Sequence, residues 1–194
     1  MPIVNPSREE VQRYIEKWKK DTKSVNQAKC VKRLFTETYP NNDKLDEILV
    51  KVATLNDYYS TNILATYAVA EHIFSIKNID ERLKAGDMDL VAEIARNRIK
   101  GKAKNFYVFA TKYFAIHNDN FPIYDSKVEK ALKHFRVKSK KKAGLHFKNI
   151  DLLDYKEFCR VINDFRTIYN LQEFSMTDLD KYLWQVGKEL SFSY

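Results

Sequence analysis

The sequence predicts an all-α fold of about nine helices, and three observations support this prediction. The chain of 194 residues holds only four Gly and four Pro, whereas β-sandwiches and α/β folds need many turn glycines. Hydrophobic residues make up 44% of the chain, which is enough to build a packed core. Apolar residues also recur at helical spacing in most segments. We therefore expect a single helical domain over residues 1–194, built as one body or as two small lobes that share a core.

Helix starts and breaks divide the first half of the chain into six predicted helices. Asn5-Pro6-Ser7 marks the first helix start, because Pro is favoured in the first turn. Tyr39-Pro-Asn-Asn-Asp43 predicts a loop, Gly86 separates two short helices, and Asn62 is placed to cap the fourth helix. The predicted helices start near residue 7, span about 24–38, start at 43, span about 63–76, and start at Asp80 and at Asp87 or Asp89.

The second half of the chain predicts four more helices around a basic loop. The segment 103–117 is almost wholly apolar after its Lys-rich start, and its length favours a helix over a buried strand. Asp125 or Ser126 caps a helix that ends near Phe135. A basic loop is expected over residues 136–150. Closing helices are predicted within 154–190, at about 154–169 and 177–190.

The positive charge of the chain is concentrated in one segment. The formal net charge is +8, and residues 127–148 hold nine Lys and Arg against the single acid Glu129, which accounts for the whole excess. A local basic patch is typical of a protein that binds a polyanion, although a solvated lysine-rich loop has the same composition. The nine basic residues are Lys127, Lys130, Lys133, Arg136, Lys138, Lys140, Lys141, Lys142 and Lys148.

Several common kinds of site are excluded. The sequence contains no phosphate-binding glycine loop, no dinucleotide-binding motif, no zinc-protease motif and no serine-hydrolase motif. The four histidines show no ligand spacing, so we expect no metal and no cofactor. No apolar run is long enough for a membrane span, so no membrane partner is expected. The isolated cysteines Cys30 and Cys159 predict buried structural thiols in a reducing compartment, and hence a cytoplasmic protein.

Asp125 is the candidate for chemistry. It follows Pro122-Ile-Tyr and begins a helix, where a carboxylate accepts backbone N–H bonds and becomes fixed in direction. A fixed carboxylate at the mouth of an aromatic-lined cleft can stabilise positive charge that develops on a sugar, or orient a water. The alternative is that Asp125 is only a helix cap, worth about 1 kcal/mol.

Three segments resemble the helix-hairpin-helix DNA glycosylases. Pro122-Ile-Tyr-Asp-Ser-Lys-Val-Glu-Lys-Ala-Leu132 is similar to that family's Pro-Val-Asp-Thr-His-Val-x-Arg-Val-Leu stretch. Ile99-Lys-Gly-Lys-Ala-Lys-Asn105 stands where the family has Gly-Val-Gly-x-Lys-Thr-Ala, with Gly101 in place of two glycines. Leu55-Asn-Asp-Tyr-Tyr-Ser-Thr-Asn-Ile63 is similar to the helix end that probes the duplex. Together the segments follow the family's order over about residues 55–135. The chain also looks like uncharacterised bacterial proteins with a Phe-Pro-Ile-Tyr-Asp-Ser motif.

The resemblance implies a glycosylase-like helical domain that binds duplex DNA and excises or recognises a modified base in DNA repair. Asp125 would stabilise the sugar cation, with Lys104 or Lys112 as the candidate amine nucleophile, and Tyr107 and Tyr124 would line the base pocket. No iron–sulfur cluster is expected, because the cysteine set for one is missing. The implied nucleic-acid-binding residues are Asn62, Gly101, Lys102, Lys127, Lys138, Lys140, Lys141 and Lys142.

Each of these assignments has a plainer alternative. The aromatic residues at helical spacing suit a core, Lys112 can extend its amine to the surface, and Lys102 and Lys104 suit a solvated helix start. The whole chain can equally be a non-catalytic module that binds nucleic acid or protein, or a structural or regulatory protein whose lysine loop is a soluble insert. We expect a monomer, and a protein partner stays open.

Overall fold

A computed structural model describes residues 5–138 and 144–191, with the side chains of 5–136 and 144–191. Within these residues the chain forms ten α-helices and one small sheet, so the prediction of a mostly helical fold with about nine helices is confirmed. The helices are α1 (Arg8–Lys20), α2 (Thr22–Arg33), α3 (Leu45–Tyr59), α4 (Thr66–Phe74), α5 (Ile79–Ala85), α6 (Asp89–Ala95), α7 (Tyr107–His117), α8 (Ser126–Lys138), α9 (Tyr155–Ile168) and α10 (Met176–Ser191).

Four shorter elements complete the described chain. The strands β1 (Arg96–Ile99) and β2 (Lys102–Asn105) lie between α6 and α7. A π-helical turn (Leu34–Thr38) continues α2, and a 3-10 helix (Asn149–Leu153) precedes α9. Among the described residues, no helix combines the length and the apolar character that a membrane span needs.

Local capping explains several helix boundaries. The Ser7 hydroxyl accepts the Glu10 N–H at 3.2 Å, and the Asp154 carboxylate accepts the Glu157 N–H at 3.1 Å, so each satisfies a free donor of a first turn. Gly86 follows α5 with a φ of +72°, the left-handed conformation that commonly ends a helix. These boundaries match the predicted ones.

The described chain divides into two compact units. Unit 1 combines residues 1–22 with 120–194, and unit 2 is 23–119. In unit 1, α10 packs against α1 and α8. The Tyr14 ring meets the edge of the Tyr182 ring at 5.3 Å, and the Tyr14 hydroxyl donates to Glu189 at 2.6 Å. Whether the two units share one core, as the single-domain prediction requires, stays a prediction.

In unit 2, α7 supplies the centre of the core. It packs on α3 and α6, and α3 packs in turn on α4. Every residue of α7 from Phe109 to Ile116 is buried, which agrees with its nearly continuous apolar sequence. The apolar stripe of α3 that faces this core includes Ile48, Val52 and Leu55.

The segment before α7 differs from the prediction. A helix was expected from residue 103, but residues 102–105 pair with 96–99 as antiparallel strands, with Arg96 opposite Asn105. Lys100 and Gly101 form the two-residue turn with φ values of +48° and +75°, as hairpins of this length require. Lys and Ala favour helix locally, but the left-handed turn at Lys100 and Gly101 reverses the chain. We call residues 96–105 the basic β-hairpin.

Three further expectations are corrected. Asn62 does not cap α4, because it has a φ of +57° and α4 begins only at Thr66. Cys30 is exposed rather than buried, whereas Cys159 is buried as expected. The helix α8 continues to Lys138, so the first residues of the predicted basic loop are helical.

Candidate functional site

The basic β-hairpin presents the densest group of exposed cations in unit 2. Its five basic residues alternate with other residues, and all five side chains are exposed. Among the described residues none of the five forms an ion pair, and no acidic residue occurs between Glu93 and Asp119. The hairpin therefore carries five positive charges that the described chain leaves uncompensated. The five residues are Arg96, Arg98, Lys100, Lys102 and Lys104.

The cations of α8 are held differently, because their side chains bond within unit 1. Lys127 Nζ donates to the Ser191 hydroxyl at 3.1 Å, and Lys133 forms an ion pair with Glu129. Arg136 donates at 3.0 Å to the Phe147 carbonyl and at 3.0 Å to Asn149 Oδ1. Each of these bonds occupies a donor that a phosphate would otherwise use. Of the remaining predicted contacts, Lys138 ends α8 with its side chain outside the described set, and Lys140, Lys141 and Lys142 lie outside the described residues.

Asp125 immediately precedes α8 and is half-buried. Its Oδ1 accepts the backbone N–H of Lys127 at 2.6 Å, which is the bond expected of a cap and fixes the direction of the carboxylate. The preceding Tyr124 is buried, its ring meeting the edge of Phe158 at 5.5 Å. The capping role is confirmed. The catalytic role of Asp125 stays a prediction.

Tyr124 is coupled to α8 through its hydroxyl, which donates to Glu129 Oε2 at 2.5 Å. Burial is the main cause that raises the pKa of Tyr124, and the Glu129 carboxylate adds to it. Burial alone would raise the pKa of Glu129 too, but hydrogen bonds from Lys133 and Tyr124 hold that pKa below its usual value. Tyr124 is thus a neutral donor across the physiological pH range.

Lys112 is buried in α7, with only 2% of its surface exposed. Its amine lies over the Tyr59 ring, 4.3 Å from the centroid, a favourable cation–π contact for a desolvated ammonium. The alternative in which Lys112 reaches the surface is therefore wrong. The contact joins α7 to the last residue of α3. Tyr107 begins α7 and is half-buried.

The loop after α3 is organised by Asn56. Its Oδ1 accepts from the Thr61 hydroxyl at 2.7 Å and from the Ile63 N–H at 2.9 Å, and its Nδ2 donates to the Ile63 carbonyl at 3.0 Å. These bonds hold Asn62 in an exposed, left-handed position. Leu64, two residues later, is 100% exposed. The loop therefore presents an amide and an apolar side chain to solvent.

Unit 2 also contains a buried polar network that the sequence did not predict. Lys51 is 0% exposed, and its Nζ donates to Asn42 Oδ1 at 2.6 Å and to the Asn41 carbonyl at 2.7 Å. The Tyr113 hydroxyl donates to the same Asn42 Oδ1. Asn42 in turn donates to both oxygens of Asp80, from Nδ2 at 2.6 Å and from its backbone N–H at 2.9 Å. We call these residues the Lys51 network.

Burial sets the electrostatics of this network. It lowers the pKa of Lys51 to about 8, although Asp80, Glu47 and Asp43 oppose the change. The neighbouring His117 ring packs at 5.2 Å on both Phe35 and Tyr113. Burial lowers the pKa of His117 to about 3, and the positive charges of Lys51 and Lys32 add to this. The Nε2 atom of His117 is buried and has no hydrogen-bond partner among the described residues.

Two signals in the sequence point to what was missed. Lys51 interrupts the spacing of Ile48, Val52 and Leu55, so a lysine stands on the stripe that faces the core. The stretch 94–118 contains no acidic residue. This absence identifies the basic β-hairpin more clearly than the net charge of the chain does. The second signal was hidden, because acids elsewhere in the chain balance the hairpin cations in any count over longer stretches.

The predicted site residues fall into both units. Unit 1 holds Tyr124, Asp125, Lys127 and Lys138. Unit 2 holds the others that are described, and there the structure joins Gly101, Lys102 and Lys104 in one hairpin. The members in unit 2 are Asn62, Gly101, Lys102, Lys104, Tyr107 and Lys112.

These features define a class of mainly helical protein with an exposed basic β-hairpin and the buried Lys51 network. Residues 10–121 match the family model HI_0787_N, described as an N-terminal domain, and the chain belongs to this family. An uncharacterised protein of Haemophilus influenzae is 46% identical over 147 residues, which are 75% of this chain and 69% of that protein. No solved structure matches the chain. Unit 2 lies wholly within the family match, whereas Asp125 lies beyond it.

Proposed function

We propose that this protein binds duplex DNA through the basic β-hairpin. The observation that carries the proposal is the set of five exposed cations on residues 96–105 with no ion pair in the described chain. Uncompensated cations on one element are what a phosphate backbone requires, because binding releases counterions from the DNA. A two-stranded β-ribbon also has the dimensions of the major groove, which is roughly 12 Å wide.

The contrast with α8 supports this choice of surface. Lys127, Lys133 and Arg136 each bond to a neighbour in unit 1, so a phosphate would have to displace those partners. The hairpin cations lose only water and side-chain entropy when they bind. We therefore assign the first contact with DNA to the hairpin rather than to the helix.

A salt titration of binding tests the proposal. We expect the logarithm of the association constant to fall linearly with the logarithm of salt concentration, and the triple variant Lys100→Gln, Lys102→Gln, Lys104→Gln to flatten that line. The magnitude of the slope should decrease by about 0.9 for each phosphate that the variant no longer neutralises. Fluorescence anisotropy with a labelled duplex of about 25 base pairs measures both quantities.

A matched control distinguishes a specific contact by the hairpin from a general effect of the positive charge of the protein. Lys23→Gln, Lys29→Gln, Lys77→Gln removes the same charge from exposed positions of unit 2 and should leave the slope nearly unchanged. A parallel variant replaces Lys138, Lys140, Lys141 and Lys142 by Ser. If only that variant binds more weakly, the DNA contacts the segment at and after the end of α8 and the hairpin assignment is wrong. Binding with no salt dependence, or no binding, overturns the proposal and favours a protein partner.

Excision of a modified base is the second candidate function, and the fixed carboxylate of Asp125 favours it. Its Oδ1 is held at 2.6 Å by the Lys127 N–H, so its charge would face a constant direction as the glycosidic bond breaks and positive charge develops on the sugar. The leaving base takes the bonding electrons, and water or a lysine amine then adds to the sugar carbon. Lys104 is exposed and is the candidate for that amine, whereas Lys112 has only 2% of its surface exposed and lies over the Tyr59 ring, out of reach of a sugar.

Duplexes that carry uracil, an oxidised base or an alkylated base test the second candidate. We expect strand scission after alkali with the wild-type protein and none with Asp125→Asn. Asn caps a helix about as well as Asp, so this variant keeps the fold and removes the charge. Borohydride should trap a covalent adduct if an amine attacks, and Lys104→Gln should abolish that adduct if Lys104 supplies the amine. No scission on any lesion counts against excision but leaves DNA binding intact.

A further inference from the structure

A group of exposed apolar side chains lies on and beside α4. Tyr67 is 54% exposed and Phe74 is 48% exposed, although large aromatic side chains normally contribute most of their area to a core. They are seven residues apart on α4, so they project from the same face, about 10 Å apart along the helix axis. The fully exposed Leu64 lies just before the helix. This face of α4 is not covered by any described part of unit 2.

The same helix adjoins the basic β-hairpin. The helix α4 contacts β1, and the His72 ring bonds through Nε2 to the Glu93 carbonyl at 2.7 Å, three residues before β1 begins. Both elements belong to unit 2. The exposed rings and the uncompensated cations therefore stand on adjoining elements of one compact unit.

The two kinds of side chain together describe the chemistry of a partner. Cations select phosphates, and exposed rings select flat apolar faces on which they can stack. An intact duplex hides the faces of its bases, whereas an unpaired strand offers phosphates and base faces alternately. Glu71 lies between the two rings on the helix and is exposed, so it disfavours phosphate there. Phosphates are thus expected on the hairpin and bases on α4.

We propose that the basic β-hairpin and the exposed face of α4 bind an unpaired segment of DNA, with Tyr67 and Phe74 stacking on its bases. The proposal rests on DNA binding by the hairpin and adds the structural state of the DNA that is preferred. The two rings stand about 10 Å apart along the helix axis. Stacked bases rise by only roughly 3.4 Å each, so the two rings would stack on different bases. The preferred partner is a duplex that contains a short unpaired stretch, because it offers paired phosphates to the hairpin and base faces to α4.

Binding of three labelled DNAs of equal length tests this inference. They are a full duplex, the same duplex with a central unpaired bubble, and the single strand. We expect the duplex with the bubble to bind more tightly than the full duplex and the single strand at the same salt concentration. Tyr67→Ala and Phe74→Ala should each weaken binding to unpaired DNA by roughly fivefold or more, since one stacked base contributes that much or more. Their salt slopes should stay close to the wild-type value.

Matched controls keep the test decisive. Ile150→Ala and Leu153→Ala remove exposed apolar side chains from unit 1 and should change nothing, while Tyr67→Phe should keep the preference because the ring remains. Thermal unfolding of each variant checks the fold, and exposed positions should leave the midpoint within a few degrees.

The outcomes separate this inference from the proposed function. Equal affinity for the three DNAs, with alanine variants that bind like wild type, overturns the role of α4 while the salt-dependent contact of the hairpin stands. Tighter binding of an RNA strand of the same sequence overturns the assignment to DNA. If no DNA binds with a salt dependence, both proposals fail together.

Discussion

Lys51 and Asn42 form a hydrogen bond of 2.6 Å in the interior of unit 2, from an amine that is wholly removed from solvent. A buried ammonium loses its hydration, and only hydrogen bonds or opposite charge can compensate. Here the Asn42 amide and the Asn41 carbonyl accept from the amine, while Asp80 binds the other side of Asn42. The network explains how unit 2 tolerates a lysine on a core-facing stripe.

Alkaline pH should stabilise the protein through Lys51. Burial lowers its pKa to about 8 in the folded chain, from 10.5. Between these values the unfolded chain binds the extra proton, so the free energy of unfolding rises with pH, by at most about 3 kcal/mol. Urea unfolding at pH 7.5 and 9.5 should show the rise in wild type and its loss in Lys51→Met. The exposed Lys29→Met serves as the control. The buried tyrosines also make the free energy of unfolding depend on pH, but they do so equally in all three proteins. A wild-type slope that survives in Lys51→Met contradicts the prediction.

Replacing Asn42 should lower the free energy of unfolding more than replacing Tyr113, one of the two residues that donate to it. Asn42→Ala leaves the Lys51 amine and the Tyr113 hydroxyl without their shared acceptor, and we expect a loss of about 3 kcal/mol or more. Tyr113→Phe removes one donor and leaves Asn42 Oδ1 bonded to Lys51, so about 1 kcal/mol is expected. Denaturant unfolding of both variants at pH 7 measures the difference. Equal losses would mean that the two donors do not depend on Asn42.

Mild acid should destabilise the protein through His117. Its pKa falls from 6.5 to about 3 on folding, chiefly because it is buried. Between pH 3 and pH 6.5 the unfolded chain therefore binds a proton at His117 that the folded chain does not bind. Stability accordingly decreases as pH falls below about 6.5. The loss should reach about 2 kcal/mol at pH 5. His117→Phe keeps a ring against Phe35 and Tyr113 and should unfold with a smaller loss between pH 7 and pH 5. The same acid sensitivity in both proteins would rule out His117 as its source.

Two glycines should differ sharply when replaced by alanine. A Cβ at Gly187 would lie 1.9 Å from the Lys127 carbonyl oxygen, so α8 and α10 would have to separate. We expect Gly187→Ala to cost about 3 kcal/mol or more, or to prevent folding of unit 1. At Gly101 nothing lies within 4 Å, but φ is +75°, so Gly101→Ala should cost only about 1 kcal/mol. Thermal unfolding compares the two, and a reversed order contradicts the packing of α8 on α10.

The helices could be predicted because their signals are local. Ser7 and Asp154 cap with their own side chains, and Gly86 ends α5, so each boundary depends on a few neighbouring residues. Asp125 was identified as a cap for the same reason. The start of α7 was misplaced, because the lysines and Ala103 favour helix while strand pairing needs the partner segment 96–99.

The sequence by itself determined a helical protein with an excess of positive charge, since periodicity, capping and composition act over a few residues. Only the tertiary structure decided which cations are used internally. Lys51 bonds to Asn42 in the loop before α3, and Lys127 bonds to Ser191 at the end of α10, whereas the hairpin cations keep no partner in the described chain. The physical reason is that desolvation and pairing depend on which segments meet in space, and sequence spacing does not specify that.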